Sequence, residues 1–238
     1  MLFCDILFDK LRPTKGRLDE QFFAKFNSRQ SYKKGEIIIR AGDHPPEIFY
    51  LKRGFVRLYS ISSEGKEITF NIHKPETYFS MIWAVGNMPN NFFYEALTNV
   101  EIWRAPKDQV LTFIKNEPSL LYSLAKRTLI GLDGLTRLTE ELLFGNARSK
   151  VASALLILAR RFGQKTKAGN IIIKLPITHR ILASIVALTR ETASLEVENL
   201  KKEKIITTNR HLFVIKKIRK LEQASIIPGN IKTIDSPL

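Results

Sequence analysis

The feature that most constrains this fold is a change of hydrophobic periodicity at Asn116-Glu117-Pro118. Before it, from residue 32 to residue 104, short apolar runs are separated about every ten residues by turn residues, which is typical of a small β-sandwich or roll. After it, leucines recur at the three- and four-residue spacing of a helix. Asn116 is a candidate N-cap, and Pro118 suits the first turn of that helix. The chain is therefore predicted to be α+β, with strands first and helices after them.

Several strands are predicted in the first part of the chain. In the third of them, alternation places Val56 and Leu58 on one face and Arg57 and Tyr59 on the other. One of these faces is expected to be core. The predicted strands are Glu36–Arg40, Ile48–Leu51, Gly54–Ile61, Lys66–Ile72 and Val100–Arg104.

The leucine-rich segment predicts one helix of about 28 residues. Its length favours pairing with a second copy of the chain over the alternative, an amphipathic helix packed only on its own domain. Leu129 and Leu132 lie off the pairing seam and could face the β domain. Seven positions at alternating spacings of three and four form the expected dimer seam: Leu121, Leu124, Thr128, Gly131, Leu135, Leu138 and Leu142.

The last part of the chain predicts a winged helix-turn-helix, in which two helices joined by a tight turn are followed by a hairpin. The turn is expected at Ala187-Leu188-Thr189, and Gly163 is expected to cap the preceding helix at its C-terminus. The predicted helices are Ala147–Arg161, Thr178–Val186 and Arg190–Glu203, and the predicted strands are Ile171–Lys174, Ile205–Thr207 and Leu212–Ile215.

The charge distribution points to an anionic partner for this last part. The chain has 38 Lys and Arg against 23 Asp and Glu, a net charge of +15. Residues 145–238 hold 18 basic and 6 acidic residues, net +12, whereas residues 1–144 hold 20 and 17, net +3. Such asymmetry is typical of a nucleic-acid-binding domain joined to a near-neutral domain, and a generally basic surface is the alternative.

Other function classes lack their sequence signals. A single cysteine, Cys4, excludes an internal disulfide, and the four histidines show no short metal-ligand spacing, so no metal or cofactor is expected. No glycine-rich phosphate loop or nucleophile–base motif indicates an enzyme. No stretch approaches the ~20 apolar residues of a membrane span, and Asp5 and Asp9 interrupt the start of the chain, which predicts a cytoplasmic protein without a membrane partner.

The second helix of the predicted motif carries the residues expected to read DNA. Ala193, Val197 and Leu200 recur at i, i+4 and i+7 and define its inward face. On the outward face, arginine can donate two hydrogen bonds to guanine, glutamate can accept one from cytosine, and leucine can contact a thymine methyl. A merely solvated face would carry mostly Lys and Glu. The expected base-reading residues are Arg190, Glu191, Ser194 and Leu195.

Two motifs resemble the Crp-Fnr family (catabolite activator and fumarate-nitrate regulator) of bacterial transcription regulators. Lys34–Asp43 and Phe49–Tyr59 resemble the opening of the family's cyclic-nucleotide-binding-type β-roll, and Thr189–Ser194 resembles its recognition helix. The resemblance implies a homodimer that binds a partly palindromic site in double-stranded DNA and contacts RNA polymerase. The implied domains are a cyclic-nucleotide-binding-like β-roll sensor domain over 1–117, a long dimerisation helix over 118–145, a winged helix-turn-helix over 146–222 and a tail over 223–238.

Phosphate contacts are expected around the recognition helix, because such contacts hold a protein in register on DNA without reading sequence. Lys201 and Arg210 lie in the basic sequence of the helix and wing. The resemblance adds Thr192. Thr178, at the start of the first predicted helix of the motif, and Thr189, the expected N-cap of the second, complete the set.

The chain departs from the family pattern in two places. Leu195 stands where the family usually has an arginine, so the usual DNA half-site does not transfer. The stretch Tyr78–Ala96 lacks both residue pairs that hold the ribose and cyclic phosphate in members that bind cyclic nucleotides. We therefore expect no tight binding of cyclic AMP, and a regulator that is either constitutive or responsive to an unknown effector.

An aromatic cluster in the same stretch has two interpretations: it lines a pocket for an apolar effector, or it fills the roll. The winged helix likewise has an alternative partner, a protein rather than DNA. The residues of the possible effector pocket are Phe79, Trp83, Phe92 and Tyr94.

Overall fold

The computed structural model describes residues 18–86, 88–209 and 212–225. The chain divides into two compact units, and the boundary falls between Gly131 and Leu132, within one long helix. The first unit contains the strands of a β-roll and the second a helix-turn-helix with a small sheet. The α+β fold predicted from the sequence is confirmed.

The first unit is built from two four-stranded antiparallel sheets whose apolar side chains share one core. The first sheet, in spatial order, consists of β1 (Ser28–Tyr32), β8 (Val100–Pro106), β3 (Glu47–Arg53) and β6 (Thr77–Phe79). The second consists of β2 (Ile37–Ile39), β7 (Phe93–Ala96), β4 (Val56–Ile61) and β5 (Glu67–His73). The accompanying helices are α1 (Glu20–Ala24), α2 (Met81–Gly86) and α3 (Lys107–Asn116).

The turn between β3 and β4 shows why glycine is needed there. Gly54 has a φ of +85°, in the left-handed region that other residues rarely adopt. A Cβ at this position would also lie 2.4 Å from the carbonyl oxygen of Asn99. Any other residue would therefore be strained at this turn both by its backbone conformation and by a steric clash with Asn99.

Strand β4 is buried on both faces, although only one face was expected to be core. Val56 and Leu58 belong to the shared core, and Arg57 and Tyr59 on the opposite face are also buried. The Arg57 guanidinium lies 4.2 Å from the centroid of the Tyr59 ring. Alternation therefore identifies the two faces correctly but does not show that the second is covered.

Three strands and all three helices of this unit, α1, α2 and α3, were not predicted. β1 is a polar strand at the edge of its sheet, where it pairs only with β8 and needs no apolar alternation. β6 and β7 fall within the aromatic cluster, whose pattern did not resolve into strands. Asn116 is the last residue of α3 rather than the N-cap of the long helix, because the chain is already helical from Lys107.

The long helix α4 spans Pro118–Phe144, 27 residues, and begins where the proline predicted. Leu129, at the end of the first unit, is 67% exposed and does not pack against the β domain as it could have done, and Leu132 is 59% exposed. Leu124, placed on the dimer seam from the sequence, is instead partly buried and packs against the core of the β-roll.

The other seam positions divide by exposure. Leu121, Thr128 and Leu135 are exposed, Gly131 and Leu142 are half-buried, and the side chain of Leu138 lies outside the described residues. Together with Leu132 and Leu143, the exposed leucines form an apolar stripe along α4.

The second unit packs four helices against a four-stranded antiparallel sheet with the strand order β11-β12-β10-β9. Among the described residues, no helix of either unit is long and apolar enough to cross a membrane. The helices are α5 (Ala147–Phe162), α6 (His179–Ile185), α7 (Arg190–Lys202) and α8 (Ile218–Ala224), and the strands are β9 (Gly163–Lys165), β10 (Ile171–Ile173), β11 (Ile206–Asn209) and β12 (Leu212–Ile215). Helix α8 and strand β9 were not predicted from the sequence.

Helix α5 begins after a side-chain N-cap and ends at a glycine. Its N-cap, Asn146, accepts a hydrogen bond from the Ser149 amide at 2.8 Å. At its C-cap, Gly163 has an extended conformation (φ −81°, ψ 141°) instead of the left-handed one expected of a capping glycine. A Cβ there would lie 2.0 Å from the carbonyl oxygen of Ala159, so glycine is required by close approach.

Candidate nucleic-acid interface

The helix-turn-helix is built from two capped helices and a tight turn. Thr178 caps α6 by accepting a hydrogen bond from the Ile181 amide, and Thr189 caps α7 by accepting one from the Thr192 amide, both at 3.2 Å. Between them Ala187 adopts a left-handed conformation with a φ of +51°. This turn lies where the sequence predicted it.

The inward face of α7 is the predicted one. Ala193, Val197 and Leu200 are fully buried in the second unit, and α6 contributes a nearly continuous buried run to the same core. Since these three side chains determine the rotation of the helix, they also determine which side chains point outward.

The outward face presents the four predicted base-reading residues. Arg190, Glu191 and Leu195 are exposed, and Ser194 is half-buried. Within the described part of the chain, neither Arg190 nor Glu191 takes part in a salt bridge. Leu195 is 60% exposed, a large apolar surface for a position surrounded by polar residues. The face therefore offers two charged hydrogen-bonding groups, a hydroxyl and a methyl-bearing side chain.

The predicted phosphate-contacting residues are mostly held by local hydrogen bonds. The hydroxyl oxygens of Thr189 and Thr192 lie 2.9 Å apart, and Lys201 Nζ lies 2.9 Å from Glu198 Oε1. Thr178 and Thr189 stand at helix N-termini, where amide groups and the helix dipole favour anions. Arg210 lies outside the described residues.

A bidentate ion pair joins α5 to the end of the recognition helix. Arg148 donates hydrogen bonds of 2.6 and 2.7 Å to the two carboxylate oxygens of Glu203, the C-cap of α7. The Arg148 guanidinium thereby holds the pKa of Glu203 below its usual range. The pair fastens the C-terminal end of α7 within its unit.

One polar contact at this site was not foreseen from the sequence. Nδ1 of His179 lies 2.8 Å from Oγ of Ser194, so the first helix of the motif touches a predicted base-reading residue on the second. No spacing rule signals this pair, because the two residues are 15 positions apart and meet only through the turn.

The predicted effector-pocket residues lie in the β-roll. Phe79 and Tyr94 are buried in its core with ring centroids 5.1 Å apart, and Phe92 packs partly buried against that core. The side chain of Trp83 lies outside the described residues. Burial raises the pKa of Tyr94, as expected for a phenol held away from water.

Comparison with known proteins matches each of the two units to a domain family. Residues 29–117 match the cyclic nucleotide-binding domain family, and residues 149–224 match the Crp-like helix-turn-helix domain family. The chain belongs to the Crp-Fnr family. Members of this family are transcription regulators rather than enzymes, and this Crp-Fnr chain is accordingly a DNA-binding transcription regulator.

This Crp-Fnr protein is similar to regulators from Nostoc and Thermus. The chain is 26% identical over 190 residues to the global nitrogen regulator of a Nostoc species, covering 79% of this chain and 85% of that protein. It is 28% identical over 175 residues to the transcriptional regulator SdrP of Thermus thermophilus, covering 73% and 82%. A crystal structure of a CRP/FNR-family regulator from Thermus thermophilus superposes with a TM-score of 0.66 at 25% identity, covering 83% of this chain and 98% of that one.

Proposed function

We propose that this regulator is a homodimer that reads a partly palindromic DNA sequence through α7. The observation that carries the proposal is the outward face of α7, where Arg190, Glu191 and Leu195 are exposed while the opposite face is locked in the core. In a two-fold symmetric dimer, two such helices enter successive major grooves ~34 Å apart.

The apolar stripe of α4 supports the dimer. From Leu121, spacings of four and three residues pass through Leu132 and Leu135, which is the repeat of a two-helix coiled coil. Every second position of this seam lies one residue further along the chain than in the seam predicted from the sequence. The shift is needed because Leu124 packs against the core of the β-roll. The positions of the proposed seam are Leu121, Ala125, Thr128, Leu132, Leu135, Thr139 and Leu142.

The surroundings of α7 support phosphate binding. Six basic residues between the last residue of α7 and helix α8 are exposed, and they lie in the same unit as the rest of the recognition helix. We propose that they and Lys201 approach the DNA backbone, so affinity falls steeply as salt rises. The six are Lys202, Lys204, Lys216, Lys217, Arg219 and Lys220.

We propose that cyclic AMP does not regulate this protein, which either binds DNA constitutively or responds to a different effector. A buried phosphate needs an arginine or several amide donors. The sequence from Tyr78 to Ala96 contains no lysine or arginine. RNA polymerase is a further proposed partner, by membership of a family of transcription regulators.

Selection from random duplex DNA tests the proposed function. The purified full chain, without added ligand, is incubated with the library at one stated salt concentration, and its mass is measured in parallel. A two-fold symmetric site is expected, with guanine opposite Arg190 and thymine opposite Leu195. A dimer that enriches no sequence, yet captures a protein through the winged helix, would overturn the proposal in favour of a protein partner.

A double variant then assigns the reading residues. Arg190→Ala with Glu191→Ala is expected to lower affinity for the selected site by roughly a hundredfold or more, because each good base contact contributes about 1–3 kcal/mol. The matched control is Lys66→Ala with Glu64→Ala, which removes an exposed pair of the same net charge from the β-roll. Unchanged selectivity in the α7 variant would contradict the assignment.

A further inference from the structure

The contact between His179 and Ser194 joins a titratable ring to a predicted base-reading hydroxyl. His179 is the first residue of α6, and its Nδ1 lies 2.8 Å from Ser194 Oγ. The ring also stacks on Phe213 of β12, with centroids 6.2 Å apart and planes inclined by 21°. The imidazole is thus held against both the recognition helix and a wing strand.

The protonation state of Nδ1 determines what the Ser194 hydroxyl can offer to a base. A serine hydroxyl has one hydrogen to donate and two lone pairs to accept with. If Nδ1 is unprotonated, Ser194 donates to it and presents only lone pairs elsewhere. If Nδ1 carries a hydrogen, Ser194 accepts from it and its own hydrogen becomes available to another acceptor.

We propose that His179 is a positioning residue that sets the hydrogen-bond polarity of Ser194, and thereby the base that Ser194 prefers. With neutral His179 protonated on Nε2, Ser194 accepts from an amine of adenine or cytosine. With the imidazolium, Ser194 donates to an acceptor of guanine or thymine. The inference rests on the proposed function, since it requires α7 to lie in the major groove.

Burial and charged groups on α7 influence the pKa of His179. Burial lowers its pKa below the usual value, as do Lys201 and Arg190 on α7, while Glu198 on α7 raises it. Arg180 follows it on α6, and from β12 the uncharged Phe213 ring packs against it. The neutral ring therefore prevails at pH 7 in the protein alone. Nearby DNA phosphates would favour the imidazolium and raise the pKa again.

The test measures a preference ratio, so that general electrostatic effects of pH on DNA binding cancel. Two duplexes differ only at the base pair whose preference is relaxed by Ser194→Ala, one presenting an amine and the other an acceptor. Affinities of the full chain are measured by fluorescence anisotropy at fixed salt from about pH 5.5 to pH 8. The wild-type ratio is expected to shift roughly fivefold toward the acceptor base as the pH falls.

Two histidine variants isolate the source of the shift. His179→Asn keeps an amide near the position of Nδ1 but does not titrate, so its ratio is expected to be constant over the whole pH range. His211→Asn removes the only other histidine beyond residue 132 and is expected to behave as wild type. Thermal unfolding confirms that both variants are folded.

The outcomes separate this inference from the function on which it rests. A constant wild-type ratio, or a pH-dependent ratio that survives in His179→Asn, overturns the inference and leaves DNA reading intact. Absence of specific binding at every pH overturns both. Nitrogen NMR shifts of the His179 ring give an independent reading without DNA: an unprotonated Nδ1 at pH 8 is expected, and a hydrogen on Nδ1 at that pH overturns the inference.

Discussion

Arg57 is the largest side chain of the described chain that is fully removed from solvent. Its guanidinium donates to Glu67 Oε2 at 2.8 Å, to Thr69 Oγ1 at 2.8 Å and to Glu95 Oε2 at 3.4 Å. Glu95 is also its direct partner in the pairing of β4 with β7. A buried cation is tolerated here because carboxylates from both neighbouring strands compensate its charge.

Replacing Arg57 is therefore expected to destabilise the β-roll strongly. Arg57→Met leaves two largely buried carboxylates without this cation, at a cost of about 3 kcal/mol in the free energy of unfolding. Adding Glu67→Gln and Glu95→Gln to that variant should recover much of the loss. Urea denaturation measures both, and Arg53→Met is the control, because the Arg53 side chain is 78% exposed. Equal losses for Arg57→Met and Arg53→Met would contradict this account.

At the scale of secondary-structure elements, the exposed leucines of α4 require an explanation. The helix leaves Leu121, Leu132, Leu135 and Leu143 more than two-fifths exposed, which is much exposed apolar surface for one helix of a monomer. Leu124 lies off the stripe and is engaged with the β-roll. Leu124 thus packs within its own chain, whereas the exposed leucines could pack against a second copy in the proposed dimer.

A charge placed on the stripe is expected to separate the dimer. Leu132→Glu removes about 2 kcal/mol of apolar burial at each of two symmetric positions, about 4 kcal/mol in all, or roughly a thousandfold in the dissociation constant. Sedimentation equilibrium measures the change, and affinity for the selected DNA should fall with it. Lys126→Glu, on an exposed polar position of the same helix, should leave the mass of the assembly unchanged. A dimer that persists in Leu132→Glu would place the interface elsewhere.

For these elements, the features that could be predicted from the sequence are those determined within a single helix. The inward face of α7 follows from the spacing of Ala193, Val197 and Leu200, and its start follows from Thr189, because periodicity and capping act within one helix. The exposure of Leu129 could not be predicted in this way. It depends on which side of α4 the β-roll uses, and that choice is made by tertiary packing around Leu124.

The same limit applies at the candidate site. The exposure of Arg190, Glu191 and Leu195 on α7 was predicted, since the inward stripe determines which side chains point outward. The contact of His179 with Ser194 and the burial of Arg57 were not, because each needs side chains from separate elements to meet. The sequence therefore predicts which face of α7 points outward, and the structure adds the contacts made by other elements.

At the scale of the whole molecule, the two units carry different charge and different chemistry. Nearly all the excess positive charge lies in the part of the chain that holds the helix-turn-helix. The β-roll belongs to a cyclic nucleotide-binding domain family, yet it is close to neutral and its core between the sheets is aromatic and aliphatic. Membership of that domain family is therefore compatible with a different effector or with none.

Cyclic AMP is expected neither to bind tightly nor to change DNA binding. Its phosphate would have to leave water for a roll whose stretch from Tyr78 to Ala96 offers no cationic side chain, while the buried Arg57 is already held by two carboxylates. An unpaired buried anion costs far more than contacts with the base and sugar return. Titration calorimetry up to about 1 mM nucleotide should give no saturable heat, and affinity for the selected DNA should stay within about twofold. Because DNA binding by the same preparation shows that the protein is active, saturable micromolar binding would contradict this account. It would mean that backbone amides or residues outside the described part of the chain supply the missing donors.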